Sequence, residues 1–390
     1  MTKITDGAGM GAQHGWIGRG EALARLGVKP QTLYAYVSRG RITAQPDPRD
    51  PRRSLYAETD IARLTGDVSG PVPSAAPRKA PARGEVELRS SVSLIAGGRL
   101  FYRGLDAAQL SQTATLEDAT RRLWDMGENP FAGLKPRVDA AGGASIRTRL
   151  FASLARRAEE DVSASNDLRG EAALVLNETI DAAAGPGPRL HFHQRLARGW
   201  KVVERESHII RRALVLAADQ GLDGPAIAAR AAAGGGAPLA GAALAGLTTL
   251  YGSAQARDVM RAAAWVVEAR RDPARATAQR MAADGAVPGF GAETWPGGDP
   301  RAAALLPALD LPRDLESVLR EGEAAMGRPP GFALALALLA RRLDLPRDGA
   351  LDLLMIGRLS GLLAHALDQR QDGSPMRVRL RYVGPEPGAH

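Results

Sequence analysis

A helical periodicity recurs along most of this chain and limits what it can fold into. Apolar residues return every three to four positions in LEDATRRLWDMG, RTRLFASLARRAEEDV, HIIRRALVLAADQ, AQARDVMRAAAWVVEARR, FALALALLARRLDL and GALDLLMIGRLSGLLAHALDQ. That spacing gathers them on one face of a helix. Only 4% of residues are aromatic, while Ala, Leu and Arg are abundant, which favours helix over sheet. Two stretches read as short strands, SVSLIAGGRLFYRG (91–104) and MRVRLRYVG (376–384). The expected fold class is mostly α.

A break interrupts this pattern. GDVSGPVPSAAPRKAPARG (66–84) has four prolines, small residues and no apolar periodicity, so an extended, semi-rigid linker is expected over 66–87. It separates a small domain, 1–65, from a large one, and 390 residues suffice for both. The net charge of +8 is uneven: residues 1–83 hold 13 Lys and Arg against 7 Asp and Glu, or +6, leaving 38 against 36, or +2, for the rest. A basic module beside a nearly neutral one points to an anionic partner for the module. With no cysteine, disulfides, thiolate nucleophiles and cysteine-liganded zinc are excluded. The N-terminal MTKITDGAGMGAQHGW lacks the apolar core of a signal peptide, and no uninterrupted apolar run reaches membrane-spanning length. The expected location is the cytoplasm, with no membrane partner and no cofactor.

Within WIGRGEALARLGVKPQTLYAYVSRGRI (16–42), a first helix stops at Gly27 and a second begins near Pro30 and Gln31, the pattern of a helix-turn-helix. Ala22, Leu23, Leu26, Val28, Leu33 and Val37 are expected to pack the pair. Lys29, Gln31, Thr32, Tyr34, Tyr36 and Arg39 are left mostly on the outer face, where they suit a groove. The following segment supplies a basic turn with Arg49, Arg52 and Arg53, then a third helix capped at Thr59 or Asp60. Residues 16–65 resemble the winged helix-turn-helix of the MerR and excisionase type. That resemblance implies a second helix in the major groove of DNA and wing arginines on phosphate. The same Gly-flanked helix pair also occurs as a plain packing or protein-binding unit.

Several stretches of the large domain carry a second likeness, in order along the chain. VSLIAGGRLFYRGLDAAQLSQTATLEDATRRLW (92–124) is followed by RRALVLAADQGLDGPAIAARAAA (211–233), PGFGAETWPGGDPRAAALL (288–306), PPGFALALALLARRLDLP (329–346), IGRLSGLLAHALDQ and MRVRLRYVGP. These resemble the bacterial citrate and 2-methylcitrate synthase family over nearly all of 88–385. What the resemblance implies is a two-domain helical dimer, with a large domain over 88–221 and 341–390 and a small domain over 222–340. The implied activity condenses an acyl-CoA with oxaloacetate. In the family one His polarises the thioester carbonyl, an Asp removes the α-proton and another His activates the keto group. A weakly acidic α-proton needs both the base and a positioned donor that stabilises the enolate.

At the positions that match those residues, this sequence departs from the pattern. The His of the family's ADHELN stands as Gln220, the following Glu as Gly221 and the Asn as Asp223. The His of GFGH stands as Ala292, the Asp of PNVDF as Gly331, and the His of GPLHGGA as Gln255. No catalytic residue of the family is intact. Arg358 matches a family arginine that contacts oxaloacetate, and Arg377 one contributed across the dimer; each reads equally as an ion pair. Asp299, Pro300 and Arg301 fit the family's DPR, read more as a loop and helix start than as a substrate contact. Tyr102 and Arg103 match a feature that serves packing as often as function. His191 and His193 have the i, i+2 spacing of metal ligands without a third ligand nearby, so no metal site is expected, and His365 reads as a helix-face or interface residue.

Three functions follow from this combination. One is a catalytically degenerate homologue that regulates by binding DNA and perceives CoA or a dicarboxylate. Another is a pseudo-subunit that pairs with an active paralogue, so both homodimer and heterodimer stay open. The third is an active enzyme converting acetyl-CoA, oxaloacetate and water to citrate and CoA with a rearranged site, including Glu293 or Asp223 as substitute acids.

Overall fold

The structure is a computed structural model that describes residues 15–38, 42–47, 50–58, 60, 61, 88–135, 137, 142–160, 167–185, 188, 190–292, 294–373 and 376. The chain divides into two compact units, Met1–Val86 and Glu87–His390. The linker expected over 66–87 and the strand expected over 376–384 lie almost wholly outside the described residues.

In the first unit, β1 (Trp16–Gly18) leads into α1 (Arg19–Leu26) and α2 (Pro30–Ser38), followed by β2 (Ala44–Asp47) and β3 (Asp50–Ala57). α1 ends at Gly27 because that residue adopts φ 64, a left-handed conformation that glycine takes at no steric cost, and its N–H bonds Leu23 O. Proline opens α2, where a missing N–H is harmless. The antiparallel sheet has the order β1-β3-β2. Ile17, Ala22, Leu33, Ile42, Tyr56 and Ile61 form the core, with Leu23, Leu26, Tyr36 and Val37 packed against it. Residues 58, 60 and 61 are helical, while Thr59 lies outside the described residues.

The second unit opens on a meander of β4 (Ser93–Ala96), β5 (Arg99–Tyr102) and β6 (Leu105–Asp106). Ser93 pairs with Tyr102 across its first hairpin, within the stretch expected to form strands. The helices that follow are α3 (Ala107–Thr113), α4 (Leu116–Leu123), α5 (Ile146–Glu159), α6 (Leu168–Ala184), α7 (Phe192–Gly199), α8 (Ser207–Ala217), α9 (Gly224–Gly234), α10 (Leu239–Tyr251), α11 (Ala254–Ala269), α12 (Pro273–Asp284), α13 (Pro300–Leu305), α14 (Arg313–Met326), α15 (Phe332–Arg342) and α16 (Gly349–Asp372). Their starts follow the local chemistry. Thr115 and Asp118 form a capping box on α4, and Asp223, Ser253 and Asp299 cap α9, α11 and α13 with their side chains.

The axis of this unit is α16, nearly all of which is buried, with α8, α9, α10 and α15 packed around it. At 24 residues it is long and apolar enough to cross a membrane by length and composition, but its most apolar window is 100% buried inside the protein. A core helix of this kind has no water-facing stripe, so apolar residues run round its faces and its polar side chains, Arg358 and His365 among them, are buried too.

Two glycines fix how α16 crosses α8. A Cβ at Gly357 would stand 2.7 Å from Ala217 Cβ, and one at Gly361 2.4 Å from Ala218 O. With no side chains there, the backbones touch, and Gly361 N–H donates to Ala218 O at 2.9 Å. This close crossing sets Arg358 against the residues that end α8.

Candidate functional site

Where α8 ends, the chain buries a charged knot. Arg358, 1% exposed, donates from Nη1 to Asp219 Oδ1 at 2.6 Å and from Nη2 to Asp223 Oδ1 at 2.5 Å. Asp219 Oδ2 also accepts from Ser93 Oγ and from Gly221 N–H at 3.1 Å, with His365 Nε2 at 3.3 Å. Burial alone would raise the Asp219 carboxyl; Arg358, then His365 and Ser93, outweigh it and hold it well below the usual carboxylate range. Burial likewise works against the charge on Arg358, and Asp219 and Asp223 restore it. Tyr102 closes the cluster from β5, its hydroxyl donating to Val215 O at 3.0 Å and accepting from Asp219 N–H at 3.2 Å. Burial pushes that hydroxyl up from its ordinary value, so it is a fixed neutral cap.

Beside the knot lies a cavity of about 940 Å³ lined by the segment after α8, the start of α11, the 286–301 loops and the start of α15. At its polar end Gln220 and Gln255 bind each other. Gln220 Nε2 donates to Gln255 Oε1 at 3.1 Å, and Gln255 Nε2 to Gln220 Oε1 at 2.6 Å. Gln220 Nε2 also reaches Asp223 Oδ2 at 2.9 Å, and Arg301 Nη1 donates to Gln220 Oε1 at 2.7 Å. Arg301 is itself clamped: Nε and Nη2 meet the two oxygens of Asp299 at 3.0 and 2.7 Å, and its guanidinium lies over the Phe332 ring at 4.6 Å. Such a bidentate, stacked arginine is rigid.

Gly331 lies on the cavity wall at the start of α15, and its N–H donates to Gly289 O at 2.8 Å. Across the same glycine, Gly289 N–H donates to Asp258 Oδ1 at 3.2 Å. Asp258 lines the cavity, and burial pushes its carboxyl up, with Gly289 N–H and Arg261 pulling the other way. Ala292, also on the wall, contributes only a methyl group.

The profile described as Citrate synthase, C-terminal domain, matches residues 148–379. The chain belongs to the citrate synthase family. Solved structures agree on the fold at low identity. The citrate synthase of Thermotoga maritima is 20% identical with a TM-score of 0.60, covering 79% of this chain and 96% of that one. The Thermoplasma acidophilum enzyme, solved in a ternary complex with carboxymethyl coenzyme A and oxaloacetate, is 16% identical with a TM-score of 0.61 over 78% and 95%. The Pyrobaculum aerophilum citrate synthase is 16% identical with a TM-score of 0.61 over 78% and 92%. Comparison with proteins of curated function returns no match.

In this citrate synthase-like unit the four positions singled out by resemblance, Gln220, Gln255, Ala292 and Gly331, line one cavity although 111 positions separate the first from the last. Arg358 stands behind the cavity wall in ion pairs. Arg377 and Glu293 lie outside the described residues. DPR is a loop and helix start, with Asp299 capping α13, and Asp299 also holds Arg301, which donates to Gln220. His365, expected on a helix face or an interface, is fully buried beside Asp219. Arg103 is structural, donating from Nε to Leu123 O at 2.9 Å.

The paired histidines lie at a helix start. His191 caps α7 and His193 lies in its first turn, because Phe192 N–H finds Glu117 Oε1 at 2.7 Å and anchors the helix start. Burial, then His191, Arg211 and His208, push His193 down to about 4. Among the described residues no group of three or more His, Asp or Glu could hold a metal ion.

In the first unit Lys29, Gln31 and Tyr34 are exposed and Thr32 is half-buried. Arg19 covers the Tyr34 ring at 5.3 Å. Tyr36 departs from expectation: it packs on the unit's core rather than standing on the outer face, since its helix turns that side towards Ile42 and Tyr56. Arg53 is exposed and pairs loosely with Asp50 at 3.3 Å. Arg39, Arg49 and the Arg52 side chain lie outside the described residues.

Sequence reasoning missed Asp219, Ser93, Arg301 and Asp258 as members of the site. For Asp219 the signal was present, since it fills the Asp of the family string ADHELN. Nothing in the local sequence singles out Asp258, which reaches the cavity only because α11 packs along α15.

Proposed function

We propose that this chain is a catalytically silent member of the citrate synthase family whose N-terminal unit binds DNA, making it a regulator. One observation carries the silent part: the polar centre of the cavity is occupied by two amides bonded to each other. A general base and an oxyanion donor each contribute about two or more orders of magnitude. Neither a carboxylate nor a histidine stands at 220, 255, 292 or 331. Asp223 is a poor substitute base, since Arg358, Gln220 and Ala226 N–H engage both its oxygens.

The DNA-binding part is supported by the Gly27 turn between α1 and α2, by the β2–β3 hairpin with its exposed Arg53, and by the basic excess of residues 1–83. In this reading 1–65 is a winged helix-turn-helix on a linker, 66–87. The large domain, 88–221 with 341–390, and the small domain, 222–340, supply two-fold symmetry for a paired operator. Binding of the full chain to its own upstream DNA is expected to weaken linearly in log affinity against log salt. Arg52→Ala and Arg53→Ala should each reduce that slope by about 1. Fluorescence anisotropy across a salt series reads this, and retention of no genomic fragment at low salt would overturn it.

A further inference from the structure

Asp223 stands between the cavity and Arg358. It lines the cavity, whereas Arg358 and Asp219 do not. Its Oδ1 holds Arg358 Nη2 at 2.5 Å and the α9 N-terminus through Ala226 N–H at 3.0 Å, and its Oδ2 holds Gln220 at 2.9 Å. Arg358 thus meets two carboxylates, one on each amino group, with two negative charges against its one. Arg301, which reaches Gln220, is matched by Asp299 in bidentate geometry, while Arg261 and Arg328 line other parts of the cavity wall.

Without the charge at 223, Arg358 would keep Asp219 on Nη1, and its Nη2 would face the cavity wall with no carboxylate partner. A desolvated guanidinium in that position is a strong carboxylate acceptor. We infer that Asp223 is a built-in counter-carboxylate that occupies Arg358 in place of a ligand, so that this cavity excludes dicarboxylates. A dianion entering here would add charge beside an acid it cannot displace, because Asp223 is also the side-chain cap of α9.

The inference deepens the silent-cleft reading and rests on it for the location of the site. It requires that removing only the charge at 223 create a binding site. Asn and Ser both cap helices well, so Asp223→Asn and Asp223→Ser keep the α9 start. Isothermal titration of the full chain with succinate and with oxaloacetate, using 1,4-butanediol as an uncharged control of similar length, tests the point. Wild type is expected to show no saturable dicarboxylate binding. Both variants should bind succinate and oxaloacetate at least about tenfold more tightly than wild type, with affinity falling as salt rises and no response to butanediol. Wild type binding a dicarboxylate as tightly as either variant would overturn the inference, and so would two folded variants that gain nothing. Saturable dicarboxylate binding by wild type overturns the inference even if neither variant folds. Thiol release from acyl-CoA would sink the silent reading instead, and these titrations do not measure it.

Discussion

Asp219 and Gln220 are neighbours in sequence and members of opposite kinds of polar cluster. Asp219 belongs to a buried knot in which Arg358, His365, Ser93, Tyr102 and Gly221 all converge. Gln220 faces a cavity and is satisfied by another amide, Gln255. The knot ties α16 to the end of α8 at a crossing so close that only glycine fits at 357 and 361. Its charges are therefore part of the packing, since removing one would strand the others in a dry interior. The Gln220–Gln255 pair, by contrast, ties together two cavity-facing side chains and supports no such crossing. In the reading proposed above, a family scaffold and its chemistry are separable at this boundary, and the chain keeps the first.

The largest effect should come from breaking the knot. Arg358→Met leaves Asp219 and Asp223 uncompensated, and chemical denaturation is expected to show a loss of about 3–5 kcal/mol. A loss comparable to that of a surface substitution would mean the knot is incidental to the fold.

A smaller effect separates the paired acids of the knot from a buried acid on α16. Asp352, in the first turn of α16 and 3% exposed, has its carboxyl pushed up to about 7 by burial and then by Asp348, against Arg147 and Arg149. Its folded value lies above its unfolded one, so the folded state holds the extra proton. Stability linked to this group is present at low pH and lost as pH rises from about 4 to about 7. Asp352→Asn should therefore raise stability by about 1–2 kcal/mol above pH 7 and leave it unchanged below pH 4. Unfolding curves across pH read this directly, and equal effects at both ends would contradict it.

The smallest effect belongs to the amide pair. Gln255→Ala removes one half-buried amide at the cavity edge and is expected to cost less than about 1 kcal/mol. A cost approaching that of Arg358→Met would erase the distinction between the two clusters.

Much of this was legible in the sequence. Helical periodicity located the helices of the second unit because each buries one face, and the capping residues marked several of their starts. The ordered strings around Gln220, Ala292, Gly331 and Arg358 located the cavity because a family scaffold fixes which loops meet. What stayed hidden depended on distance in space. Arg301 reads as a helix start, which it is, but nothing in the sequence shows that Asp299 and Phe332 hold it against Gln220. Asp258 carries no motif and enters the cavity through the packing of α11. Tyr36 looked like a groove-facing aromatic because helix periodicity alone cannot say which side meets a sheet that comes later in the chain.

Thiol release from acetyl-CoA in the presence of oxaloacetate, measured on the purified full chain, tests the proposed silence of the cavity most directly. Release should not exceed the uncatalysed background, with or without bound DNA. Release well above background, abolished by Asp258→Asn, would show instead that a carboxylate on α11 has taken over the work missing at Gly331.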